Sequence, residues 1–205
     1  VKTFLVVGSA PCLFSDVQRA LYIRPFASIM LVNGACTAIE NAEHVLAGHE
    51  EKAEFFARER RRVFPNAPPW RLHATTFPHR QAACKELFPS VTDWHNHEKG
   101  VGATSASKAA KICFDLGAKE VILCGCPLNE PGYFEGEAQV PQHIMCERIG
   151  DHGMSRTGIP VQQMRIIKGY REKFKILAET EFKGKVFSMS GFTKDCLGLP
   201  REDYI

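Results

Sequence analysis

The chain has 205 residues, 44% of them apolar and 24% charged, which is the balance of a soluble globular chain long enough for one full core. A net charge of +3 is too small to argue for direct nucleic-acid binding, and it suits a small polyanionic ligand such as a nucleotide. No apolar run approaches the ~20 residues that cross a bilayer, so no membrane span is expected.

The elements follow in order. The β-branched run 3–7 predicts a strand, followed by the turn Gly8-Ser9-Ala10-Pro11-Cys12. A helix is expected from a cap at Ser15-Asp16 to about Leu21. Strands over 28–32 and 43–47 end at Asn33-Gly34 and Gly48-His49-Glu50. A helix over 51–63 can turn Phe55, Phe56 and Val63 inward, leaving Arg58, Arg60, Arg61 and Arg62 in solvent. Pro65, Pro68 and Pro69 stop it. A strand over 70–75 and a helix over 80–87 come next. The segment 92–102, with Trp94, His95 and His97, reads as a loop. Thr104 or Ser105 caps a helix that Gly117 ends, and 120–124 is a further strand. From 127 to 160 Gly and Pro recur without a period, as in a functional lid. A long helix over 161–180, a strand over 184–189 and a tail of loop and short helix close the chain.

Alternating strands and helices at this spacing predict one α/β domain over 1–205: a Rossmann-like, doubly wound, mostly parallel sheet with a lid insertion. Right-handed crossovers would bring Gly8, Asn33, Gly48, Thr104 and Gly125 to one edge of it. Eight cysteines are scattered along the chain without a C-x-x-C pair. The amino terminus opens straight into a strand and no signal peptide is visible. The cysteines therefore read as reduced thiols of a cytoplasmic protein.

The chemistry-bearing residues each have two readings. The turn Gly8-Ser9-Ala10 lacks the spacing of a dinucleotide fingerprint and of a P-loop. It is either a backbone nest for phosphate or a tight strand-to-helix turn. Asn33 contacts a base or ribose, or it closes an Asx turn. Thr104 and Ser105 hold phosphate at a helix start or serve as caps. Gly125 shares the same edge. His49 and Glu50 position or deprotonate an acceptor, or merely open a helix. His95 and His97, with Asp93 and Glu98, are too sparse for a metal centre, and no metal is assigned. Cys124 and Cys126 lie in an apolar segment that disfavours a thiolate nucleophile. In the lid, Tyr133, His143, Asp151-His152 and Arg156 are candidates. His152, between flexible glycines and beside a carboxylate, is the preferred general base, and Arg156 could clamp an anion.

Two of these segments resemble a known family. The run Val6-Val7-Gly8-Ser9-Ala10-Pro11-Cys12-Leu13 resembles the "GNGPSL" opening of bacterial CMP-sialic-acid-dependent sialyltransferases. The pair Thr104-Ser105, with Leu116 to Gly125 behind it, resembles their "TSG" helix start and "LGxKEIYLxG" strand. Both also occur in a related domain of unknown function that includes archaeal 6-hydroxymethylpterin diphosphokinases. The resemblance implies that Ser9, Asn33, Thr104 and Ser105 bind the nucleotide. It also implies that Tyr133 contacts the donor phosphate and that His152 is the base. This sequence has Ser9 where the motif has Asn, Ala106 where it has Gly, and Cys126-Pro127 where an Asp is usual.

Three functions follow as expectations. The first is a nucleotide-dependent transferase, most like a glycosyltransferase, with a nucleotide-activated sugar as substrate and no permanent cofactor. The second is an ATP- and Mg2+-dependent diphosphokinase on a pterin-like molecule. The third is a nucleotide-binding module without chemistry. The acceptor is not named by the sequence, and a homo-oligomer is compatible with it.

Overall fold

The structure is a computed structural model, and it describes residues 1–96, 104–129 and 160–201, with the backbone alone for 160–167. Seven parallel strands form one sheet in the order β5-β4-β3-β2-β1-β6-β7. They are β1 (Thr3–Val7), β2 (Ser28–Val32), β3 (His44–Ala47), β4 (Arg71–Thr76), β5 (Asp93–Asn96), β6 (Glu120–Cys124) and β7 (Val186–Ser188). The helices are α1 (Leu13–Ile23), α2 (Ala53–Val63), α3 (Gln81–Leu87), α4 (Ser105–Asp115), α5 (Pro160–Glu179) and α6 (Gly191–Leu197). This is the doubly wound α/β architecture that the alternation predicted.

The strands β1 and β6 are buried along their whole length, as both faces of a central parallel strand must be. On one face Leu5, Val7, Leu31 and Val45 pack with Leu13, Val17 and Ala20 of α1 and Phe55 and Phe56 of α2. On the other, Phe4, Val6, Met30 and Leu46 pack with Ala109, Ala110 and Ile112 of α4 and Phe174 and Leu177 of α5. The helix α1 behind β1 therefore covers one face, and α5, which precedes β7, covers the other. The strands β1 and β6 are neighbours, so the topological switch point lies between them, outside their carboxyl ends.

Four expectations need correction. Val63 does not face the core: it is the last residue of α2 and is 37% exposed. The segment 92–102 is not loop throughout, because Asp93–Asn96 pairs with β4 as an edge strand. Its polar residues hid it, and an edge strand tolerates them. Arg60 is not solvated: it is fully buried, and its two terminal nitrogens donate to the carbonyls of Cys36, Ile39, Glu40 and Ala42 at 2.7–3.2 Å. The guanidinium thus holds the β2–β3 connection, with the Trp70 ring 5.4 Å away. Asp16 does not cap α1, which begins at Leu13 and places this carboxylate inside the first turn.

On the α4 face, three histidines from successive strands form a hydrogen-bonded row. His44 Nδ1 lies 2.9 Å from His73 Nε2, and His73 Nδ1 lies 3.0 Å from His95 Nε2. Beside the row, Asp93 receives two hydrogen bonds from Arg71 and one from Thr92. Burial pushes all three imidazoles below the ordinary 6.5, His73 to about 3. The fold therefore favours neutral rings. Their contribution is complete above pH 6.5 and is lost as the pH falls through that value toward 3. Stability measured by urea unfolding should decline steadily from pH 7.5 to 5, and His95→Gln should shallow the decline. A flat profile across that window would contradict the account.

Candidate functional site

The carboxyl ends of β1 and β6 meet at two glycines. Gly8 N–H donates to Cys124 O at 2.8 Å, and Ala10 N–H donates to Gly125 O at 3.1 Å. A Cβ on Gly8 would lie 2.6 Å from Cys126 Sγ. One on Gly125, where φ is +62°, would lie 2.6 Å from Gly8 O. The two turns are therefore pressed together, and two of the amides expected to form a nest are already spent. Ser9 is different: neither its amide nor its hydroxyl bonds to a described residue.

A buried carboxylate locks this junction from below. Asp16 is 2% exposed, and its Oδ2 accepts from Gly125 N–H at 2.9 Å and from Ser190 Oγ at 2.6 Å. Its place in the first turn of α1 favours negative charge. Ser190 also lies 3.4 Å from Cys12 Sγ. One side chain thus joins the starts of α1 and α6 to the end of β6. Ser190 was missed at the sequence level because the segment after β7 reads as tail. Its signal was Ser190-Gly191 directly behind a short apolar strand.

The second half of the edge is organised by Asn33, in the left-handed region at φ 52°. Its Oδ1 accepts from Gly48 N–H at 2.8 Å, and its Nδ2 donates to Ser105 Oγ at 3.0 Å. Asn33 therefore ties the end of β2 to the end of β3 and to the start of α4. A Cβ on Gly48 would sit 2.3 Å from Ser105 Oγ, so only glycine allows this approach. Gly48 O in turn accepts from Thr75 Oγ1 at 3.0 Å.

At the start of α4, Thr104 is spent on capping. Its hydroxyl accepts from Ser107 N–H at 3.0 Å, and Ser107 Oγ accepts from Thr104 N–H at 3.3 Å. Ser105 keeps its hydroxyl proton, and the Ser105 and Ala106 amides have no acceptor among the described residues. That leaves three donors at a helix amino terminus, an arrangement that suits an anion. Glu50 is buried, with Arg80 Nη1 3.2 Å from its Oε1. Burial lowers the His49 pKa, which keeps the ring neutral and able to accept a proton.

The structure thus brings Gly8, Ser9, Ala10, Asn33, Thr104, Ser105, Gly125, His49 and Glu50 to one edge. Tyr133, His143, His152 and Arg156 lie outside the described residues, as do His97 and most of the 127–160 segment. The seven described cysteines are free thiols. Burial raises Cys126 to about 12 and pushes Cys124 well above the usual thiol range, so neither supplies a thiolate near neutrality. Among the described residues no cluster of three His, Cys, Asp or Glu side chains could hold a metal, and no helix is long and apolar enough to cross a membrane. A cavity of about 310 Å³ opens elsewhere, between α1 and the segment after α6, lined by Arg19, Tyr22, Ile23, Leu199 and Pro200. It holds no carboxylate, thiol or imidazole.

No family profile and no curated protein sequence matches the chain. Solved structures do share its fold. The monofunctional α-2,3-sialyltransferase Cst-I from Campylobacter jejuni superposes with a TM-score of 0.64 at 12% identity, over 100% of this chain and 83% of that one. The MAf glycosyltransferase from Magnetospirillum magneticum AMB-1 gives a TM-score of 0.52 at 12% identity, over 98% of this chain and 33% of that one. The fold is glycosyltransferase-like. At this identity the likeness is one of fold, and chemistry must be argued from the site.

Asn33→Ala removes both side-chain bonds and leaves the Gly48 amide without its partner. It should lower the unfolding free energy by about 2 kcal/mol, read from denaturant melts. Asn33→Asp, which keeps the acceptor for Gly48, should lose less. A loss below about 0.5 kcal/mol for the alanine variant would show that Asn33 does not hold the edge together.

Proposed function

We propose that the chain is a nucleotide-dependent transferase, most like a glycosyltransferase that uses a nucleotide-activated sugar. The observation that carries this reading is the set of uncommitted donors at the start of α4, beside Asn33 at the carboxyl edge of a glycosyltransferase-like sheet. The donor phosphate would lie against the Ser105 and Ala106 amides and the Ser105 hydroxyl, where the helix dipole favours negative charge. Ser9 would contact the nucleotide from the β1–α1 turn. Asn33 is a positioning residue in this scheme, because its amide is spent on Gly48 and Ser105.

The acceptor hydroxyl must lose a proton as it attacks the anomeric carbon, while the nucleotide phosphate leaves with the bonding pair. His152 is the proposed base and Tyr133 the proposed phosphate contact, with His143 and Arg156 on the acceptor or phosphate. His49 is a second base of suitable protonation at the same edge. Closure of the 127–160 segment would exclude water and limit hydrolysis of the activated donor.

Thermal shifts with CMP, CDP, UDP, GDP and ATP, each with and without Mg2+, test the reading. A cytidine or other sugar-carrier nucleotide at 100 times its Kd should stabilise the protein by ~2.7 kcal/mol without metal. Ser105→Ala should reduce that gain. A shift with ATP and Mg2+ alone would replace the glycosyltransferase by a diphosphokinase. Full turnover by His152→Ala would remove that residue from its role.

A further inference from the structure

Three histidines that the site does not use form a continuous row across the sheet. His44 Nδ1 lies 2.9 Å from His73 Nε2, and His73 Nδ1 lies 3.0 Å from His95 Nε2. The register makes the row a diagonal. His44 opens β3, His73 pairs with Leu46 two residues further along, and His95 pairs with Thr75 two residues further again. The row thus climbs about 13 Å along the strands and crosses about 10 Å of sheet. Its upper end is level with Thr75, whose hydroxyl donates to Gly48 O at the carboxyl edge. Its lower end lies beside Phe4, near the start of β1, with the two rings 5.5 Å apart. The middle ring is 0% exposed, while both end rings are half-buried. Both ends therefore reach solvent and the centre is dry.

The contacts run head to tail, Nδ1 of one ring to Nε2 of the next, and each holds one proton. A neutral imidazole carries a single N–H. All three rings must therefore share a tautomer, Nε2–H throughout or Nδ1–H throughout. Passage between these two arrangements moves a proton. One arrives on His95 Nδ1, the His95 Nε2 proton passes to His73 Nδ1, the His73 Nε2 proton passes to His44 Nδ1, and the His44 Nε2 proton leaves to water. One proton enters, one leaves, and no ring keeps a charge. Asp93 Oδ2, held by Arg71 and 3.9 Å from His73 Nδ1, sets a negative charge beside the middle of the path. The other charges that the row feels are Lys2 and Glu43 at His44 and Asp115 of α4 at His95. We infer that His44, His73 and His95 are a proton relay between the carboxyl edge and the opposite end of the sheet. Its use in the transfer rests on the function proposed above: a site closed to water has to dispose of the proton of the acceptor hydroxyl. Once the site reopens, the row runs backward from His44 and recovers its first tautomer.

The test uses the whole chain with 15N-labelled histidine, read by NMR. Ring nitrogen shifts should show one tautomer shared by all three rings. The ring proton of the buried His73 should exchange with water at least tenfold faster than the backbone amides of β4. Carrying His44→Gln and His95→Gln together should slow it at least tenfold, because a carboxamide keeps the hydrogen bond but passes no proton on. The β4 amides in the same spectra show that the sheet stays folded. Exchange at His73 no faster than those amides, or unchanged in the double variant, overturns the relay. His44→Gln alone, at the end remote from the site, should leave the thermal shift with CMP as in the parent. It should also slow hydrolysis of CMP-sialic acid at least fivefold. Unchanged hydrolysis in a variant that still binds CMP overturns the use of the relay in the transfer. Fast exchange at His73 in a chain that no nucleotide stabilises keeps the relay and rejects the donor reading.

Discussion

The Asp16 carboxylate is the contact on which the switch point depends. It is buried in the first turn of α1 and receives the Gly125 amide from the end of β6 and the Ser190 hydroxyl from the end of β7. A carboxylate this far from water is tolerated only when hydrogen bonds and a helix dipole stand in for hydration. Three segments distant in sequence are thereby fixed to one another at the place where an open α/β sheet offers its crevice. With Gly8 and Gly125 pressed together above it, the junction is a rigid floor. The exposed chemistry is carried on the neighbouring ends of β2 and β3 and on the start of α4.

That division explains the roles of the small polar residues. Asn33 and Thr104 look like ligand contacts in sequence but are spent on structure: one ties two strand ends to a helix, and the other caps that helix. Their work leaves Ser105 and the first amides of α4 in a fixed position with donors to spare. Preorganised donors of this kind act at little reorganisation cost when charge arrives.

Much of the fold was legible because hydrophobic periodicity is a strong signal in buried parallel strands. The strands β1, β2 and β6 have the bounds expected from their β-branched runs. The strand β5 was not legible, because Asp93-Trp94-His95-Asn96 carries no apolar run, and its pairing depends on β4 rather than on its own composition. Arg60 was misplaced for a related reason. A guanidinium on a basic helix reads as solvated, and only the tertiary path of residues 36–42 supplies its four carbonyl acceptors. At the site, glycines and hydroxyls marked the edge correctly. Sequence could not separate residues that would touch a ligand from those that hold the frame, because both jobs select Asn, Ser and Thr. Ser190 left only the faint signal of Ser190-Gly191 behind a short strand, since its meaning comes from Asp16 and Cys12, its neighbours in space.

The central claim is that a nucleotide lies across the carboxyl edge, against Ser9 and the start of α4. Amide hydrogen exchange with and without saturating CMP, or whichever nucleotide stabilises the chain, tests it most directly. The account predicts slowed exchange in the β1–α1 turn around Ser9 and at Ser105 and Ala106, whose amides have no acceptor among the described residues. Protection confined to the cavity beside Tyr22 and Leu199, with the start of α4 unchanged, would contradict it.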